Sequence, residues 1–152
     1  MKPTDYLIIA AIVFIILIPL IIFSLPGSTT DLVVFGTSSG NVSVPVEVMR
    51  TREELQNGLM YRENLDPDSG MLFIFSSPKT LNFWMKNTLI PLDMIFISDS
   101  RNIVKIEHDV PPCEIDPCPN YGGVHAKYVV EVNAGFAENR GIKEGDNVYL
   151  MV

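Results

Sequence analysis

Hydrophobic residues follow two distinct patterns along the chain. Near the N-terminus they form one unbroken run, Tyr6–Leu25, which contains no charged residue. About twenty helical residues, rising ~1.5 Å each, span the roughly 30 Å hydrocarbon core of a bilayer. The run therefore predicts a transmembrane helix, apolar on every face, with Pro19 tolerated as in other membrane helices. A cleaved signal peptide is the alternative. Its apolar region would run only ~7–15 residues and end in a small-residue cleavage site, whereas this run is longer and closes on Phe23-Ser24-Leu25-Pro26-Gly27.

Beyond Pro26 the apolar residues come in short runs, many of them alternating with polar ones. Asp31–Gly36 and Asn41–Met49 flank Thr37-Ser38-Ser39-Gly40 and predict a hairpin. Val44, Val46 and Val48 give the second strand one apolar face, and Pro45 marks it as an edge or bulged strand. Thr51-Arg52-Glu53-Glu54 is a capping-box pattern, so a short helix starts there with Leu55 and Leu59 on one side. Leu65–Gly70 is a turn. Met71–Phe75 and Leu81–Lys86 predict two strands separated by a break at Ser76–Lys79. Leu92–Ile97 and Asn102–His108 form another pair. Val110–Gly123 holds four prolines and both cysteines, which predicts an irregular loop. Lys127–Asn133 is a strand, Ala134–Gly141 a short helix ended by glycine, and Asn147–Val152 a last strand.

The domain organisation is thus a tail (1–5), a transmembrane helix (6–25), a linker (26–30) and a mainly β domain (31–152). About eight short strands and two short helices with short connections predict an α+β architecture. The expected form is a compact antiparallel β-barrel or coiled sheet, with the helices at its rim.

Charge changes the picture in two ways. Lys2 and the amino terminus precede the apolar run, and no Lys or Arg follows until Arg50. The positive-inside bias then places the N-terminus in the cytoplasm and the domain outside the cell membrane, as a single-pass protein. The formal charge is −7, and Lys2 cancels Asp5, so all of it belongs to the domain. An acidic domain repels phosphate backbones, which excludes nucleic acid as an expected partner.

Several blocks of the domain resemble the family catalogued as domain of unknown function 192. They are Gly58-Leu59-Met60-Tyr61-Arg62, Gly70–Phe75, and Phe83-Trp84-Met85-Lys86-Asn87-Thr88-Leu89-Ile90-Pro91-Leu92-Asp93. Later blocks are Pro112-Cys113, Cys118-Pro119-Asn120-Tyr121, Val130–Gly135, Gly141-Ile142 and Gly145-Asp146. The resemblance runs from Val44 to the C-terminus. It implies a small, mostly β domain, often exported or membrane-anchored, and it implies no activity.

Candidate chemistry gathers at Asn82–Asp93, which holds the only tryptophan. Asn82, Trp84 and Lys86 share one strand face, and Asn87, Thr88 and Asp93 follow. Glu131 and Asn133 lie on the face opposite Tyr128, Val130 and Val132, and Arg62 ends a helix expected nearby. An indole beside ammonium, amide and carboxylate groups suits a small polar ligand such as a sugar. The candidate ligand-binding residues are therefore Arg62, Trp84, Lys86, Asn87, Asp93 and Glu131. A purely structural reading pairs Arg62 with Asp93 or Glu131 and has Asn87 and Thr88 cap a turn. A catalytic reading uses Asp93 and Glu131 as acid and base.

Cys113 and Cys118, the only cysteines, predict a disulfide if the domain is outside the cytoplasm. A zinc site of His108, Cys113, Cys118 and His125 is the alternative, and free thiols are a third. Asn41-Val42-Ser43 is an N-glycosylation sequon. No nucleotide-binding, nucleophile-elbow or zinc-protease motif is present, and no cofactor is expected.

Taken together, the sequence predicts a membrane-anchored, non-enzymatic module that binds a polar ligand or a partner protein. A hydrolase-like enzyme and a structural accessory of an envelope or membrane complex are the alternatives.

Overall fold

Thr37 and Gly40 close the first hairpin. The Thr37 hydroxyl donates to the Gly40 carbonyl at 2.7 Å, and the strands on either side pair antiparallel from Leu32↔Pro45 to Thr37↔Gly40. The structure is a computed structural model that describes residues 30–152. The elements are β1 (Leu32–Thr37), β2 (Gly40–Met49), α1 (Arg52–Asn57), β3 (Gly70–Trp84), β4 (Leu92–Ile97), β5 (Ile103–Val110), β6 (Asn120–Asn133), α2 (Phe136–Asn139) and β7 (Asn147–Met151). The expected transmembrane helix and most of the linker lie outside the described residues. No helix among the described residues is long and apolar enough to cross a membrane.

The seven strands form one sheet in the order β5-β4-β6-β3-β2-β1-β7. Its two edges meet at one end. Val148 N–H donates to the Arg101 carbonyl (2.8 Å), Ile103 N–H to Asp146 (3.0 Å) and Gly145 N–H to Ile103 (2.9 Å). The sheet is therefore a curled half-barrel, stitched by backbone bonds where β7 reaches the start of β5.

Three sequence expectations need correction. The sheet is not purely antiparallel, because β2 and β3 pair in parallel from Val46↔Gly70 to Met49↔Phe73. Their connection carries α1 and a long turn, and such a crossover of a dozen or more residues is what parallel neighbours require. Among the described residues the strands number seven rather than eight. Met71–Phe75 and Leu81–Trp84 are parts of one strand, β3, whose register against β6 shifts between Ile74 and Lys79. Pro78 has no N–H to give the ladder, and a bulge absorbs it without ending the strand. The proline-rich loop is shorter than expected, since β6 begins at Asn120, right after the last proline.

Alternation along the strands builds a core on each side of the sheet. One side gathers Val33, Phe35, Leu72, Ile95, Ile103, Val130 and Val148 with Phe136 and Ala137 of α2. It draws on both sheet edges, so it is the inside of the curl. The other side gathers Leu59, Met71, Phe73, Leu81, Met85, Met94, Phe96 and Val129. This outer core is covered by the α1 region and by the β3–β4 connection. Interior strand β4 is buried at all six positions, as a strand between two cores must be.

Candidate functional site

On the outer face, register aligns one residue from each of five strands. Glu47 pairs with Met71, Met71 with Glu131, Glu131 with Met94, and Met94 with Glu107. This row crosses β2, β3, β6, β4 and β5 and carries three glutamates. Arg62 grips Glu47 with two hydrogen bonds of 2.6 Å each, which hold the Glu47 carboxyl below its ordinary range. Lys105 lies 2.7 Å from Glu107. Glu131, in the middle, is only 5% exposed and has no ion-pair or hydrogen-bond partner for its carboxyl among the described residues. Burial pushes its pKa up to about 8, because the charged form loses water without gaining a counter-ion.

Glu131 lines a cavity of about 370 Å³ between the C-terminal end of α1 and the second half of β3. Thr51 starts α1 with a complete capping box, and Gly58 ends it at φ 46°. Gly58 is required for two reasons. Its backbone is left-handed, and a Cβ there would lie 2.9 Å from the Phe73 ring and 3.9 Å from Glu131 Oε2. Glycine thus lets the chain pass close over the buried carboxyl. The walls are aromatic. Phe83 packs edge-to-face on Phe73 (5.1 Å between centroids), Phe96 (5.7 Å) and Phe75 (6.3 Å). Phe73, Phe75 and Phe83 line the cavity with Trp84, which is 45% exposed at the rim. Thr88, almost fully buried, also lines it. Lys79 is the one cationic lining residue, and its Nζ lies 4.8 Å from the centre of the Phe75 ring.

Of the six ligand-binding residues expected from sequence, the cavity brings together Trp84 and Glu131. The other four lie elsewhere. Arg62 pairs with Glu47 rather than with Asp93 or Glu131, a correction that follows from register, since Glu47 is the exposed end of the glutamate row. Lys86 pairs with Asp116 in the cysteine loop at 2.5 Å and stands 5.7 Å from the Trp84 ring centre. Asn87 adopts φ 58°. Its amide donates to Tyr61 Oη, and its carbonyl accepts from Tyr61 N–H, both at 2.8 Å. Asp93 is fully buried and accepts from the N–H groups of Asp109 (2.9 Å), Gly135 (3.1 Å) and Ala137 (2.9 Å).

The carboxylates of the catalytic reading are on opposite faces. Asp93 pairs with Val132, whose side chain is in the inner core, whereas Glu131 pairs with Met94 of the outer core. Cys113 and Cys118 form a disulfide, with their Cα atoms 5.9 Å apart. That takes both sulfurs away from the zinc alternative with His108 and His125. No group of three or more metal-ligating side chains clusters among the described residues.

Sequence reasoning missed Gly58, Phe73, Phe75, Phe83 and Lys79 as lining residues. The phenylalanines read as core from their alternation. The one available signal was Asn57-Gly58, a left-handed helix stop, without a hint of what passes beneath it.

The chain is similar to two bacterial proteins of known structure. One, from Sinorhizobium meliloti 1021, is described as a proposed transcription regulator. It is 33% identical, with a TM-score of 0.73 over 80% of this chain and 94% of that one. The other, a protein of unknown function from Novosphingobium aromaticivorans DSM 12444, is 34% identical, with a TM-score of 0.72 over 82% and 89% of the two chains. Comparison with curated proteins finds no match. The family model DUF192, described as an uncharacterized ACR, matches residues 34–150, and the chain belongs to that family.

Proposed function

We propose that this protein is a membrane-anchored, extracytoplasmic module that binds a small polar ligand in the cavity between α1 and β3. One observation carries the binding part of this reading: the Glu131 carboxyl, on a residue only 5% exposed, opens on the cavity and has no hydrogen-bond or ion-pair partner among the described residues. An unpaired buried carboxyl is costly to the fold, and a ligand that hydrogen-bonds it would recover that cost. The phenyl rings and Trp84 supply apolar contact, and Thr88, Asn82 and Lys79 supply polar contact around them. A sugar or another compact molecule with one polar and one apolar side fits this lining.

The anchor and the outside placement rest on the uncharged run Tyr6–Leu25 and the charges around it. A transcriptional role, such as the description of the Sinorhizobium meliloti relative suggests, is not proposed for this chain, whose net charge is −7. Hydrolysis by Asp93 and Glu131 is disfavoured by their placement on opposite faces of the sheet.

Two experiments test the proposal. A library of sugars, amino acids and amines is screened against the protein by tryptophan fluorescence, in which Trp84 is the only indole. A saturable change that Glu131→Gln weakens is expected; a library with no saturable response would refute the binding role. For topology, intact cells are mildly reduced and treated with a non-permeant thiol reagent. Labelling of Cys113 and Cys118 before lysis is expected, and labelling only after lysis refutes the outside placement.

A further inference from the structure

The cavity's preferred ligand can be narrowed by charge. In the outer row of three glutamates, the two ends carry their own cations, Arg62 on Glu47 and Lys105 on Glu107. The middle one, Glu131, has none among the described residues, and it is the one that lines a cavity. We infer that the cavity binds a compact organic cation, an ammonium group on an apolar body, which supplies the missing third counter-ion. This rests on the proposal that the cavity is a ligand site.

Two further features agree. The lining offers three phenyl rings and an indole, whose faces attract cations. Lys79 occupies one of them, 4.8 Å from the Phe75 ring centre, so an incoming cation is left Phe73, Phe83 and Trp84. The acidic domain raises the local concentration of cations rather than anions.

The charged groups that line the cavity with Glu131 are few. Leu55, Gln56 and Asn57 of α1 are uncharged, and β3 contributes Lys79. Along the row lie the two neutralised glutamates. Neither His108 nor His125 lines the cavity. A cation entering the site meets a carboxyl that is mostly protonated at neutral pH. Binding therefore releases the Glu131 proton to solvent and leaves a carboxylate–cation pair.

The test uses the full chain in a non-ionic detergent and follows Trp84 emission. The probes are benzyltrimethylammonium, whose charge does not titrate, benzyl alcohol and methyl glucoside. Benzyltrimethylammonium should bind at least ten times more tightly than either neutral probe at pH 8. Its affinity should rise about tenfold between pH 6 and pH 7 and level off above about 8, while benzyl alcohol shows no pH dependence. Glu131→Gln should abolish the cation preference and the pH dependence. If that variant does not fold, the wild-type profile decides, because a histidine would place the midpoint near 6.5. Equal or tighter binding of a neutral probe, or cation binding without a midpoint near 8, overturns the cation inference and leaves the binding site standing. Silence from all three probes overturns the inference; only silence across the wider library overturns the site as well.

Discussion

Asp93 and Glu131 lie on adjacent strands one register step apart, yet their carboxyls face opposite sides of the sheet. Asp93 is turned into the fold and receives three backbone N–H groups. Glu131 is turned to the cavity and receives none among the described residues. The same side-chain chemistry thus performs two tasks, and the tasks predict opposite responses to mutation.

Asp93 ties the end of β5 and the start of α2 to β4. Asp93→Ala strips the acceptor from three buried or half-buried donors, each costing about 1–3 kcal/mol when left unsatisfied. A loss of at least about 3 kcal/mol is expected. Urea unfolding followed by far-ultraviolet circular dichroism measures it. A change under ~1 kcal/mol would show that Asp93 does not hold these elements.

Glu131 has the reverse effect on stability. Its pKa is raised from an ordinary 4.5 to about 8 in the folded state, so between these values the folded chain holds a proton that the unfolded chain has lost. Stability therefore falls as pH rises from 4.5 towards 8 and is flat in this respect outside that window. Glutamine mimics the protonated acid without titrating. Glu131→Gln should thus raise stability by about 3 kcal/mol at pH 7 and by almost nothing at pH 4.5. Denaturation midpoints of both proteins across this range test the sign, and a constant difference would contradict it.

Asn87 sits in left-handed backbone at φ 58° and bonds Tyr61 through both its side chain and its carbonyl. Asn87→Gly loses the side-chain bond alone. Asn87→Ala adds a left-handed penalty of roughly 1–2 kcal/mol. Alanine should therefore destabilise more than glycine, the reverse of their ranking in a helix. Thermal unfolding of the two variants gives the order directly.

The Cys113–Cys118 disulfide closes a very short loop, worth only about 2 kcal/mol in the chain-entropy view. The double variant Cys113→Ser with Cys118→Ser should keep the sheet and lose order locally, around the Lys86–Asp116 ion pair. Amide exchange confined to residues 111–119 is expected; exchange spreading into β4 or β6 would show a larger role.

The sequence by itself determined the local elements. Period-two alternation marked the strands, the Thr51–Glu54 box marked the start of α1, and Gly141 marked a stop, because these signals act between residues a few positions apart; the end of α1 at Asn57 rather than Arg62 was left to the structure. It also separated the two faces of β6, placing Glu131 opposite Val130 and Val132. Tertiary structure alone decided what met across those faces. The parallel β2–β3 pair, the single bulged β3 and the closure of β7 on β5 all depend on long connections, whose direction no local pattern encodes. Register then put Arg62 on Glu47 and Lys86 on Asp116, drawing two expected ligand contacts into surface ion pairs. The same register left Glu131 without a partner among the described residues, under Gly58. A charge's partner is set by the fold that carries it, and a missing partner can be seen only when every neighbour is in place.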